Sequence, residues 1–166
     1  MAIEEGVAFW SMTRQAKGIR EGEFTSRELL ELFIQRIETI NPKLNAVVTL
    51  DLEYARSAAD VADASILAGE AVGPLHGIPI TVKDALKTAG LRSTGGATEL
   101  HNYVPDHDAP VVKAVKDAGA IVFGKTNLPR WSGDMQTYND MFGTTVNPWN
   151  ADDWALLFSS ENVSGN

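Results

Sequence analysis

An apolar run, Ile78-Pro79-Ile80-Thr81-Val82, leads directly into Lys83, and Asp84 follows. A lysine at the carboxyl end of a strand sits where α/β sheets place ligand chemistry. Burial there lowers its pKa and makes the amine a usable base near neutral pH. A snorkelling or ion-paired lysine accounts for the same residues. Gly119-Ala120-Ile121-Val122-Phe123-Gly124-Lys125-Thr126 fits the spacing of a phosphate loop. That chemistry needs a flexible loop between the glycines and a helix opening after Thr126. Ala-Ile-Val-Phe favours a strand instead, and Pro129 stands where the helix would run. These residues read as a strand ending in a tight turn that binds no nucleotide. His76, His101 and His107 fall in loop-like segments, and none has a partner at the i, i+4 spacing of a helical zinc site. Asp51, Asp60, Asp63, Asp106 and Asp108 read as helix caps and solvated faces. Neither a metal site nor a cofactor is expected.

The elements that must position Lys83 follow from periodicity. Residues 6–20 read as one helix ended by Gly22. Thr25-Ser26-Arg27-Glu28 is a capping-box pattern. Behind it Leu29, Leu30, Phe33, Ile34, Ile37 and Ile40 recur at helical spacing up to a stop at Asn41-Pro42. Residues 46–50 predict a strand. Asp51 caps an alanine-rich helix to about Ala68, with Gly69 as its stop. Residues 73–77 read as loop, 78–82 as strand and 83–105 as mostly loop. Asp108 is expected to cap the next helix, with Val111, Val112 and Val115 inward and Gly119 at its end. Residues 120–123 predict a buried strand, and 124–150 are loop-rich. Helices alternating with strands predict an α/β domain with partly parallel pairing.

Composition narrows the function classes. The chain has 166 residues, the length of one domain at roughly 100–200 residues each. Lys plus Arg number 14 against 22 Asp plus Glu, a net charge of −8. A nucleic-acid partner is therefore not expected, since it calls for a basic face. With no cysteine, the sequence holds no disulfide, thiolate zinc site or cysteine nucleophile. The start is acidic rather than signal-like, and no apolar run approaches the roughly 18 residues of a membrane helix. A cytoplasmic protein without membrane contact is expected.

The wording around Lys83 is more specific. Gly73-Pro74-Leu75-His76-Gly77-Ile78-Pro79-Ile80-Thr81-Val82-Lys83-Asp84 resembles the catalytic-lysine segment of the amidase signature family. The likeness continues through Thr88–Gly96, Asp108–Val112, Gly119–Asn127, Tyr138-Asn139 and Phe142–Asn150. The helices upstream, with Asn41–Ala46 between them, are also similar to that family. In order, the resemblance covers roughly residues 7–150.

What the resemblance implies is the N-terminal portion of an amidase-signature fold, an α/β arrangement with helices on a partly parallel, incomplete mixed sheet. It also implies a hydrolase of carboxylic amides built on a Ser–Ser–Lys triad, in which Lys83 matches the base and must be neutral to act. The product would be an acid plus ammonia or an amine; transamidation of a charged tRNA with partner subunits is the alternative within the family. The bridging serine belongs to a Gly-Gly-Ser-Ser-Gly-Gly-Ser type stretch soon after Asn150, and the nucleophile to a later Asp-Thr-Gly-Gly-Ser type stretch. Neither stretch is in the sequence. Ser159 and Ser160 lie near the bridging position without its glycines, and the role is not carried onto them. Residues 1–150 thus read as the N-terminal part of an amidase domain, and 151–166 as a divergent, poorly packed tail. The expected partner of the complete enzyme is a small-molecule amide. This chain alone is expected to be inactive and to self-associate through uncovered apolar surface; a non-catalytic remnant acting as an interaction module is the competing reading. Lys83 is expected to end a strand, mostly buried, near Ser93–Gly96.

Overall fold

The computed structural model describes residues 3–149. The proposed tail at 151–166, Ser159 and Ser160 included, lies outside the described residues.

Two helices and three strands set the frame. Thr25 caps α2 (Ser26–Leu44) through both halves of the capping box: its hydroxyl accepts from Glu28 N–H, and the Glu28 carboxylate accepts from Thr25 N–H. Asp51 caps α3 (Leu52–Leu67) by accepting from Tyr54 N–H. The apolar stripes of these helices, Leu30, Ile34, Ala55 and Ala59, bury against Ile121 and Phe123. Each large side chain buried this way contributes roughly 1.5–3 kcal/mol. A second cluster joins Val7, Ile19, Phe24 and Leu29 to Ile78. Arg56 of α3 and Arg27 of α2 both reach Glu31 at 2.8 Å, and their hydrogen bonds, Arg56 first, pull its carboxyl down to about 2.

Three strands, β1 (Val47–Leu50), β2 (Pro79–Lys83) and β3 (Ile121–Thr126), form a mixed sheet in the order β1-β3-β2. β1 runs antiparallel to β3, and β2 runs parallel to it. The β2–β3 crossover carries α4 (Pro110–Asp117). A small hairpin, β4 (Tyr138–Asn139) with β5 (Gly143–Thr144), follows.

Several elements depart from the sequence reading. The segment 6–20 is broken: a 3-10 turn over Glu5–Phe9 precedes α1 (Met12–Arg20), and the Ser11 hydroxyl caps α1 by accepting from Arg14 N–H. The capping serine starts a new helix, because its side chain takes an amide that has no helical partner. α2 does not stop at Asn41-Pro42 but runs one more turn to Leu44. Asn45, left-handed at φ 54°, closes that turn by donating its N–H to Asn41 O at 2.7 Å. The Asn41 amide oxygen takes the N–H groups of Ala46 and Val47, each at 2.8 Å. These bonds hold the last turn together although Pro42 contributes no N–H to it. Asp108 does not cap α4; Ala109 occupies that position with Pro110 in the first turn. Asp108 instead accepts from Ala89 N–H at 2.8 Å and pairs with Lys116 at 2.9 Å. Val112 is buried as expected, but Val111 is exposed. Both strands flanking the crossover are displaced toward their carboxyl ends, so β3 includes Gly124, Lys125 and Thr126.

Candidate functional site

Lys83 is the last residue of β2, paired in register with Thr126 of β3. The strand end therefore stands where the sequence places it. Its burial does not: Lys83 is exposed. β2 is an edge strand, and among the described residues nothing pairs along its outer side.

Asp84 builds the rest of the site. It is fully buried, and its N–H donates to Thr126 O at 3.0 Å, continuing the β2–β3 ladder by one residue. Its carboxylate accepts from the Thr94 N–H at 3.0 and 3.1 Å and from the Thr94 hydroxyl. Its carbonyl accepts from Gly95 N–H at 3.2 Å. The glycine-rich loop is thus fastened to the residue that follows Lys83. Gly96 N–H donates to the Thr94 hydroxyl, and Ala97 N–H to Thr94 O. Every amide from Thr94 to Ala97 is engaged within the loop or on Asp84, so the loop offers no N–H pair to a developing oxyanion.

Close approach explains the glycines. Gly95 and Gly96 take φ values of 60° and 67°. A Cβ on Gly95 would lie 3.0 Å from the Trp131 ring, and one on Gly96 would lie 3.1 Å from Leu128 O. Trp131 and Ser132 are themselves left-handed, at φ 55° and 58°. Trp131 N–H donates to Gly95 O at 2.8 Å and Ser132 N–H to Pro129 O at 2.8 Å, which holds this strained turn against the loop. Periodicity gave no sign of the Asp84–Thr94 clasp or of Trp131. The adjacent Lys83-Asp84 pair and the double glycine were the only local signals.

The phosphate-loop motif resolves into sheet structure. Gly124 lies inside β3, where a Cβ would meet Leu50 Cδ2 at 2.7 Å and Thr49 O at 2.9 Å. The missing Cβ serves strand packing, and among the described residues no α-helix opens after Thr126. Lys125 is fully buried, with its ammonium donating to Leu86 O. The Thr88 hydroxyl donates to the same carbonyl at 3.2 Å and the Ser93 hydroxyl at 3.5 Å. Burial pushes Lys125 down to about 8; Asp84 and, more weakly, Asp108 oppose the shift, and Lys116 adds to it. Lys125 is therefore a buried structural cation and not an accessible base.

The histidines and the other singled-out acids are engaged locally. His76 Nε2 lies 2.9 Å from Ala62 O, His101 Nδ1 lies 3.0 Å from Thr98 O, and His107 Nδ1 lies 2.6 Å from Asp106. Asp60 pairs with Arg27, and Asp63 accepts the N–H groups of Ser26 and Arg27 at the start of α2. Among the described residues no group of three or more His, Cys, Asp or Glu could hold a metal ion, and no helix is long and apolar enough to cross a membrane.

A family model described as Amidase matches residues 28–155. The chain belongs to the amidase family. Its sequence is 42% identical over 137 residues to a glutamyl-tRNA(Gln) amidotransferase subunit of Alkalilimnicola ehrlichii, covering 82% of this chain and 28% of that protein. Among solved amidase-like structures, fatty acid amide hydrolase superposes with a TM-score of 0.84 at 27% identity, covering 91% of this chain and 27% of that one. The peptide amidase of Stenotrophomonas maltophilia superposes with a TM-score of 0.82 at 31% identity, covering 90% and 32%. The α/β arrangement with a partly parallel mixed sheet is thus an amidase fold in part, and the chain spans less than a third of the length of these relatives.

Proposed function

We propose that this chain carries the base-bearing part of an amidase-family site that cleaves carboxylic amides by a Ser–Ser–Lys mechanism. Lys83 is the proposed base. The observation that carries the reading is the place of Lys83 at the carboxyl end of β2, with Asp84 clasping the glycine-rich loop behind it. In the complete reaction a serine oxygen attacks the amide carbon while its proton passes through the bridging serine to Lys83, and that proton is then returned to the leaving nitrogen as the C–N bond breaks and ammonia or an amine departs. Water then releases the acid from the acyl-enzyme. A neutral lysine base needs dry surroundings, and residues 3–149 leave Lys83 exposed. The reading therefore requires further residues to cover the site and to supply both serines. On its own, this chain is expected not to turn over amides. With the Thr94–Ala97 amides already engaged, the glycine-rich loop supplies no oxyanion donor, which forgoes about 3–4 kcal/mol of transition-state stabilisation beyond the loss of the covalent route.

A second reading, glutamine-dependent transamidation, is favoured by the similarity to relatives named as glutamyl-tRNA(Gln) amidotransferase subunits. Under it the amide is glutamine, and ammonia passes on to a partner protein. The test is ammonia release by the purified chain from glutamine and from simple aliphatic and aromatic amides, beside Lys83→Ala. No release above the variant is the expected result. Turnover abolished by Lys83→Ala would place a nucleophile within these residues and overturn the inactive reading, with Ser159 and Ser160 the first to replace.

A further inference from the structure

We propose that the groove between the N-terminal 3-10 turn, the α1–α2 junction and the end of α3 docks a basic amphipathic helix of a partner protein. The groove has a volume of about 600 Å³. Val7, Ile19, Phe24, Ile66 and Leu67 form its apolar wall and floor. Three of these, Val7, Ile19 and Phe24, belong to a packed core cluster, so the floor is rigid. Leu67 is 89% exposed although it projects from the last turn of a well-packed helix. Leu67 extends the apolar wall of this recess into solvent, within reach of a partner side chain.

Charge selects the occupant. Glu4, Glu23, Glu28 and Asp63 line the groove, and none of the described residues lining it is Lys or Arg. Arg14 neutralises Glu23 at 2.6 Å. Asp63 directs its oxygens to the backbone amides of Ser26 and Arg27, which leaves its charge in place. Glu4 and Asp63 therefore keep the rim acidic around an apolar trough bounded by three elements. A helix with apolar anchors at i, i+3 and i+4 between lysines or arginines matches both features. The location separates this surface from the amide chemistry. Ser26 beside the groove donates to Gly77 O, just before β2 begins, whereas Lys83 ends β2. A partner can occupy the groove without covering Lys83, and the proposal stands whether or not the chain belongs to a working hydrolase.

The test uses two synthetic 15-residue helices with the same leucine face, one flanked by lysine and one by glutamate. Each is titrated into the 15N-labelled chain, into Leu67→Gln and into Glu4→Gln/Asp63→Asn, with amide shifts recorded at low and at moderate salt. Leu67→Gln keeps the fold because its side chain is already in water, whereas Asp63→Asn alters an α2 contact, so Leu67→Gln is the deciding variant. The leucine/lysine helix is expected to bind saturably, with shifts confined to Val7, Ile19, Gly22, Phe24, Ile66 and Leu67, and to weaken with salt. Leu67→Gln is expected to weaken it about tenfold, the loss of one buried leucine, and the glutamate helix to bind at least as poorly. Shifts scattered over the acidic surface, equal binding by the two helices, or unchanged affinity in Leu67→Gln would overturn the proposal. So would groove shifts that grow with chain concentration in the absence of peptide, which would assign the groove to a second copy.

Discussion

Replacing Lys125 by methionine tests the electrostatics of the site in one variant. Lys125 is fully buried, and desolvation lowers it from an ordinary 10.5 to about 8. Between those values the unfolded chain binds the proton and the folded chain releases it. Folding stability therefore rises with pH from about 8 to about 10.5, and below 8 the buried charge costs its full penalty. At about 1.4 kcal/mol per pH unit, the gap amounts to roughly 3 kcal/mol. Methionine keeps the length and removes the charge, but also the bond to Leu86 O. That carbonyl retains the Thr88 and Ser93 hydroxyls as donors. A lost charge-assisted bond costs about 1.5–3 kcal/mol, so Lys125→Met at pH 7 is expected to lie between neutral and about 2 kcal/mol more stable than the parent. Urea unfolding of both proteins at pH 7, 8, 9 and 10.5 measures this. The difference between them should move by roughly 3 kcal/mol in the parent's favour as pH rises, other titrations cancelling in the subtraction. A difference that stays constant from pH 7 to 10.5, or a loss above about 3 kcal/mol at pH 7, would refute the reasoning.

Two further substitutions probe the frame. Asp84→Ala strands the buried Thr94 N–H and hydroxyl, and is expected to cost about 2–4 kcal/mol by urea unfolding while raising amide exchange at Thr94–Ala97; a loss under 1 kcal/mol or so would show that the clasp is not what holds the loop. Thr25→Ala removes one half of the capping box and is expected to lower stability by about 1 kcal/mol with exchange rising at Glu28, and unchanged protection there would mean that Asp63, through Ser26 and Arg27, caps α2 without help.

The helix with the capping box, the Asp51 cap, three strands and the end of β2 at Lys83 were legible in the order of residues, because each rests on a local rule of spacing or end chemistry. The family was legible as well, because long motifs follow one another in order across most of the chain. The remaining features depend on contacts between residues distant in the chain. The turn of α2 beyond Pro42 exists because Asn41 and Asn45 find backbone partners at Asn41, Ala46 and Val47, which no periodicity reveals. Asp108 left the cap role because Lys116 and the Ala89 amide offered a better-satisfied carboxylate. Lys125 and Gly124, which mimic a phosphate loop in one dimension, became a buried cation and a close-packed strand residue once β1 and β2 flanked them. Lys83 reached its strand end but stayed exposed, because burial depends on which strand forms the edge of the sheet, and strand order is a property of the folded chain alone.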